Sequence, residues 1–249
     1  MIKLIDINKS FHDREVLKHI NLEVRDGETL VIIGGSGMGK STLLRLMIGL
    51  IRPTSGEIWI GDKDISRMPE QELDEVRLHM GMVFQYSALF DSMSVGENVA
   101  FGLREHTKYP EDKIRAIVRE KLEMVGLPGI EDNMPNELSG GMKKRVSLAR
   151  AIAFEPDIIF YDEPSSGLDP IMTDKINELI LHMQRTLHVT SVVVTHDMAS
   201  ACRVADRIAM VYDGELIAID TVKNFKRIQD PRVQAFLKSL YVGDEEAEE

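Results

Sequence analysis

An α/β fold with a parallel sheet is predicted by three features of this sequence. An apolar run at 29–33 breaks into a glycine-rich loop and restarts as a helix, and two later apolar runs, 158–161 and 191–195, flank a helical stretch. Strands covered on both faces read as unbroken Val, Ile and Leu, because neither face meets water.

Taken in order, alternating Ile2, Leu4 and Ile7, and then Leu17–Val24, read as strands. Thr29–Ile33 is the first buried strand, and Gly34–Gly39 ends it. From Lys40 to Leu50, the residues Leu43, Leu44, Met47, Ile48 and Leu50 recur at helical spacing, so the order is strand, glycine loop, helix. A further strand covers Glu57–Ile60. From Ser87 to about Glu137 the pattern turns helical, with Ile114, Ile117, Val118, Lys121, Leu122 and Val125 forming an amphipathic stretch that stops at Gly126. This reads as an inserted helical subdomain. Ile158–Tyr161 resumes the buried-strand pattern, Pro170–Leu187 is a helix and Ser191–Thr195 a strand. Ile208–Tyr212 and Glu215–Ile219 flank Asp213-Gly214, a hairpin turn signal.

The chain has 249 residues, 43% hydrophobic and 29% charged, enough to bury a substantial core. Its net charge of −11 opposes the attraction to phosphate backbones that nucleic-acid binders exploit, so no nucleic-acid partner is expected. The single cysteine, Cys202, cannot form an internal disulfide and is given no role. No apolar run approaches the ~20 residues that cross a bilayer, and Met1 leads into alternating apolar residues without a signal-peptide pattern. A cytoplasmic location is expected, and in any membrane process the spanning part would be another polypeptide.

Gly34-Gly35-Ser36-Gly37-Met38-Gly39-Lys40-Ser41 fits the phosphate-loop pattern of Gly, four residues, Gly-Lys-Ser/Thr. The glycines allow a tight turn whose amides surround phosphate oxygens, beside the positive end of the helix that follows. Lys40 brings charge to the β and γ phosphates, and Ser41 brings a hydroxyl to Mg2+. From residue frequencies such as ~7% glycine, the pattern arises by chance in about one chain in a hundred of this length; its place between a strand and a helix adds the context it requires. At the end of Ile158–Tyr161 stand Asp162 and Glu163, where ligands of parallel sheets gather. Asp162 suits Mg2+, and Glu163 suits the water that attacks the γ phosphate.

Leu138-Ser139-Gly140-Gly141-Met142 lies between these two motifs, and with it the chain resembles the ATP-binding subunits of ABC transporters. That family's signature ends most often in Gln, where this chain has Met142. The resemblance implies a P-loop NTPase, an ABC ATPase cassette with a RecA-like core, an antiparallel β subdomain and an inserted α-helical subdomain. It further implies one domain over 1–240: core and β subdomain at about 1–86 and 157–220, helical subdomain at about 87–156, C-terminal helix at about 221–240, and an acidic tail at 241–249. ATP and Mg2+ are the implied cofactors. Lys40, Gln85, Glu163 and His196 are the implied catalytic residues, and Ser41, Gln85 and Asp162 the implied Mg2+ ligands. Nucleotide contacts are implied for Phe11, Gly34, Gly35, Ser36, Gly37, Met38, Gly39, Lys40, Ser41 and Thr42, and for Ser139, Gly140, Gly141 and Asp169. Asp169 belongs to the stretch Ser166-Gly167-Leu168-Asp169, which spans the dimer in that family. A surface amide for Gln85, a core imidazole for His196 and a buried side chain for Phe11 are the plainer alternatives.

Gln85-Tyr86-Ser87-Ala88-Leu89-Phe90, Leu103-Arg104-Glu105-His106-Thr107 and Asp230–Phe236 are similar to the Mla or Mce branch, as is Met142. That likeness implies ATP-driven lipid movement across the bacterial envelope from the cytoplasmic face of the inner membrane. The implied partners are a second copy of the chain in a head-to-tail ATP sandwich, a membrane permease reached by residues after Gln85, an Mce-type lipid-binding protein and a small STAS-domain subunit. An amino-acid, metal or drug transporter subunit shares the same catalytic residues and is the nearest rival; a soluble ABC ATPase outside transport is more distant.

Overall fold

The computed structural model describes residues 1–238; the expected acidic tail and the last residues of the expected C-terminal helix lie outside them. The chain divides into two compact units, one formed by Met1–Leu73 with the described residues from Thr190 onward, the other by Asp74–Val189.

In the first unit, β1 (Ile2–Phe11), β2 (Arg14–Val24), β4 (Ser55–Ile60) and β5 (Lys63–Asp64) form an antiparallel sheet in the order β2-β1-β4-β5. Its inner face is Ile2, Leu4, Ile7, Leu17, Ile20, Leu22, Val24 and Ile58, all buried. A second set of strands runs β10-β9-β3-β8, with β3 (Thr29–Ile33), β8 (Thr190–Thr195), β9 (Arg207–Tyr212) and β10 (Glu215–Thr221). Every residue of β3 and β8 is buried, as their unbroken apolar runs demand. Each fully buried Val, Leu or Ile contributes roughly 1.5–3 kcal/mol, so these short strands are held by burial more than by length. β3 pairs in parallel with β8, Ile33 opposite Thr195. Gly34 and His196 therefore leave the same end of adjacent strands. α1 (Lys40–Met47), α7 (Met198–Val204), α8 (Val222–Phe225) and α9 (Pro231–Lys238) complete this unit.

In the second unit, β6 (Met80–Val83) and β7 (Ile158–Asp162) pair in parallel, ending with Val83 opposite Tyr161. That register delivers Gln85 and Asp162-Glu163 to one end of the pair. α3 (Val95–His106), α4 (Glu111–Met124) and α5 (Gly140–Ala151) pack on one another. α3 opens with a capping box in which the Ser94 hydroxyl accepts from the Glu97 amide at 3.2 Å and the Glu97 carboxylate accepts from the Ser94 amide at 2.7 Å. α4 ends at Met124, with Gly126 in the left-handed region (φ 69°) stopping the helix as its residue type predicts. α6 (Pro170–Leu187) starts with proline at its first position, where no N–H partner is needed.

Absent from the sequence reading are the two-residue β5, the short α7, the polar helix α2 (Glu70–Arg77), and β6, whose Met-Gly-Met-Val gives a weak strand signal. Gly81 sits in β6 because a Cβ there would lie 2.6 Å from the Ala151 carbonyl oxygen, so close helix–strand packing sets the residue.

Candidate functional site

The glycine loop leaves β3 and enters α1 with Gly34, Gly37 and Gly39 all at positive φ (155°, 76° and 96°). At Gly39 a Cβ would lie 2.7 Å from Leu17 Cδ2 and 3.0 Å from the Val16 carbonyl oxygen; at Gly34 it would lie 2.3 Å from the Val211 carbonyl oxygen. The loop is thus pressed against β9 at Gly34 and against β2 at Gly39, with no room for a side chain at either position. Gly39 is the N-cap of α1 and makes no side-chain cap bond, and the first turn has no acidic side chain. Such a helix start presents backbone amides and positive potential to an anion. Lys40, 7% exposed, folds back so that its Nζ donates to the carbonyls of Gly34 (2.8 Å) and Gly35 (3.0 Å). Its charge therefore lies over the loop.

His196 follows β8, and its side chain is exposed, unlike the core imidazole of the plainer reading. The Asp197 amide donates to Thr195 Oγ1 at 3.0 Å and the Asp197 carboxylate caps α7, so the residues on either side of His196 are tied down. Phe11, at the end of β1, is 43% exposed and carries Lys9 Nζ 4.8 Å from its ring centroid. An aromatic face open to solvent can stack on a base; a core Phe could not.

In the second unit Asp162 and Glu163 are 7% and 9% exposed. Glu163 adopts φ 48°, a conformation that costs a non-glycine residue roughly 1–2 kcal/mol and that its surroundings must hold. The buried Lys144 side chain of α5 donates from its ammonium to the Glu163 carbonyl at 3.5 Å and to the Gln85 carbonyl. Burial pushes Lys144 below its ordinary lysine value, against the pull of the Glu163 and Asp162 carboxylates. The Gln85 side-chain amide donates to Ser166 Oγ at 3.4 Å. Past Gln85 the chain turns through Ser87 and Ala88 in left-handed conformation (φ 63° and 48°), and Arg150 of α5 donates to both their carbonyls at 2.9 and 2.7 Å. Next to this turn Tyr86 is 86% exposed, and the half-open rings of Phe90 and Phe101 stand 4.9 Å apart.

Ser139 is the N-cap of α5, its hydroxyl accepting from the Met142 amide at 3.3 Å. Gly141 in the first turn faces Met172 of α6; a Cβ there would lie 2.2 Å from Met172 Cε. Asp169 caps α6 by accepting from the Met172 amide at 3.0 Å, so within one chain its carboxylate is engaged in holding that helix.

Sequence reasoning missed Lys144, Arg150 and Asn98. Asn98 is fully buried in α3, where its side chain accepts from the Phe90 amide and donates to the carbonyls of Phe90, Met93 and Ser94. A signal for Lys144 existed: with Gly141 and Leu148 it falls at i, i+3 and i+7 of α5, which places a cation on the helix's buried stripe.

Residues 17–166 match the ABC transporter family model. The chain is 47% identical to the intermembrane phospholipid transport system ATP-binding protein MlaF of Haemophilus influenzae, over 91% of this chain and 86% of that one. It is 41% identical to the probable ribonucleotide transport ATP-binding protein mkl of Mycobacterium leprae, over 97% and 70%. Among solved structures it resembles the ATP-binding cassette MJ0796, captured as a dimer in a post-hydrolysis state bound to ADP and Pi (TM-score 0.82, 33% identity, 89% of this chain and 99% of that one). With the glycine loop, the buried acid pair and the serine-capped signature helix in place, these likenesses make the chain a member of the ABC transporter family, an ATP-hydrolysing cassette.

Proposed function

We propose that the chain is the ATPase subunit of a phospholipid transporter of the bacterial envelope, working as one of two copies beneath a membrane permease at the cytoplasmic face of the inner membrane. The observation that carries the cargo is the 47% identity to MlaF across nearly the whole of both chains. The ribonucleotide name of the M. leprae relative gives a second reading of the cargo, at lower identity. Among the described residues no helix is long and apolar enough to cross a membrane, so a separate permease is part of the proposal. The exposed Tyr86, Phe90 and Phe101 supply a surface for it. An Mce-type lipid-binding protein and a STAS-domain subunit complete the proposed assembly.

In this reading Gly34 to Thr42 hold the triphosphate through backbone amides, Lys40 neutralises the β and γ phosphates, and Phe11 stacks on adenine. Glu163 orients and deprotonates the attacking water, helped by the Gln85 amide, and His196 holds the γ phosphate in line. Ser41, Asp162 and Gln85 would hold Mg2+; a hydroxyl, a carboxylate and an amide oxygen are the hard oxygen donors that ion takes, and when bound it supplies charge to the phosphates. Ser139, Gly140, Gly141 and Asp169 act on the nucleotide of the second copy, with the dimeric MJ0796 cassette as the supporting likeness. ATP then favours the closed pair and hydrolysis loosens it, which moves the permease.

The test is Glu163→Gln in the chain purified with its membrane partner. ATP binding stays and turnover falls by about 10²–10⁴. Wild-type turnover would remove Glu163 from its role. Mass spectrometry of lipids carried by the complex tests the cargo: their absence alongside bound nucleotide monophosphates would favour the second reading.

A further inference from the structure

The β6–β7 ladder ends at the pair Val83–Tyr161, so Gln85 and Glu163 each stand two residues beyond the last rung. At that point the two backbones are bridged by one side chain. Lys144 Nζ donates to the carbonyls of both Gln85 and Glu163, from a side chain whose stem is buried in α5. Neither bond depends on the side chains of Gln85 or Glu163. Lys144 acts on where those side chains start, and it does so from the helix that Ser139 caps.

The chemistry suits a lysine. A compact ammonium with three N–H donors on a flexible four-carbon stem can serve two carbonyls that converge from different strands. The unusual φ of Glu163 makes the support necessary, because a strained backbone persists only where its neighbours hold it.

We propose that Lys144 is a positioning residue of the hydrolysis reaction, an ionic rung that extends the β6–β7 ladder and sets the spacing of Gln85 and Glu163 from the signature helix. The proposal rests on the hydrolytic roles given to Gln85 and Glu163 above. It also makes the signature helix and the two water-handling residues move as one piece, so that a displacement of α5 is felt at the attacking water.

The experiment compares wild type, K144M, K144R, E163Q and the double variant K144M/E163Q, each as the full chain purified with its membrane partner. K144M keeps the apolar stem and removes the donors. Its kcat falls by about 10–100-fold, the loss that follows small misplacement of a reacting group, while KM for ATP stays within about twofold because the glycine loop carries binding. K144R restores kcat to within about fivefold of wild type. The double variant falls short of the product of the two single defects in single-turnover hydrolysis, since Lys144 acts in part through Glu163. A wild-type kcat for K144M, a joint loss of kcat, ATP affinity and melting temperature that K144R leaves unrepaired, or a full multiplication of the two defects would each overturn the proposal. Should K144M not fold, K144Q, which removes the ammonium and shortens the side chain, takes its place under the same criteria. The two layers separate cleanly: a fast E163Q removes the reading beneath, whereas a slow E163Q beside a fast K144M removes only the role of Lys144.

Discussion

Alanine placed in turn at Gly37, Gly39 and Gly34 separates what a positive φ costs from what crowding costs. All three have positive φ, but a Cβ at Gly37 would meet nothing within 4 Å. Left-handed alanine costs about 1–2 kcal/mol, and the stiffer unfolded chain returns about 0.4–1 kcal/mol, so Gly37→Ala loses roughly 0.5–1.5 kcal/mol. At Gly39 the same cost is joined by contacts of 2.7 Å to Leu17 and 3.0 Å to the Val16 carbonyl. Overpacking of that kind adds about 1–3 kcal/mol, for a total near 2–4 kcal/mol. Gly34→Ala sets a Cβ 2.3 Å from a backbone oxygen of β9, and only a strand shift relieves it, so the loss exceeds that at Gly39. At about 2–4 °C per kcal/mol for a chain of this size, nucleotide-free melting falls by about 1–6 °C for Gly37→Ala and about 4–16 °C for Gly39→Ala. Scanning fluorimetry of the three purified variants reads the order directly. Equal melting points at positions 37 and 39, or a Gly34→Ala protein as stable as wild type, would refute the reasoning.

Two further outcomes follow from local geometry. Asn98→Ala removes the acceptor of the Phe90 amide and the side-chain donor to the carbonyls of Phe90, Met93 and Ser94, of which those of Phe90 and Ser94 keep backbone partners, and at about 1 kcal/mol net per lost bond it costs roughly 2–4 kcal/mol; urea unfolding checks this, and a midpoint unchanged from wild type would count against it. The Asp230 carboxylate is held down to about 2, first by its side-chain bond to Arg232 and then by the Arg232 amide. A depressed folded value means that the stabilisation is complete above the ordinary carboxylate range near 4 and is lost as pH falls from there through about 2. Amide exchange across α9 accordingly speeds up over that window in wild type but shows no such step in Asp230→Asn.

Buried strands were the most legible part of the fold. Thr29–Ile33 was read with its observed bounds, and Ile158–Tyr161 and Ser191–Thr195 within one residue, because strands covered on both faces have an uninterrupted apolar pattern. β6 escaped notice since its Gly81 answers to the Ala151 carbonyl, a constraint that no local pattern records. The glycine loop and the acid pair were legible from spacing, a helix start and a strand exit, which announce phosphate chemistry, whereas Phe11, Gln85, Asp169 and His196 were legible only through the family resemblance. Lys144's place on the buried stripe of α5 was readable but its role was not, because that role appears only when α5 lies across the ends of β6 and β7, far apart in sequence. Asp169 shows the opposite limit: its place in a motif was readable, its service as the cap of α6 was not.

Behind the glycine loop three distant stretches of chain meet. Met38 Sδ accepts from the Asp213 amide at 3.3 Å, Lys18 donates its amide to the Gly214 carbonyl at 2.8 Å, and a Cβ on Gly214 would lie 2.6 Å from the Val16 oxygen. A hairpin tip is ordinarily the place to splice in a fluorescent protein or an epitope, since such tips tolerate insertion. Here Asp213-Gly214 is a buttress, and a graft there would loosen the backing of the glycine loop. At the turn around Gly129 a Cβ would meet nothing within 4 Å, so a graft there presses on no such neighbour.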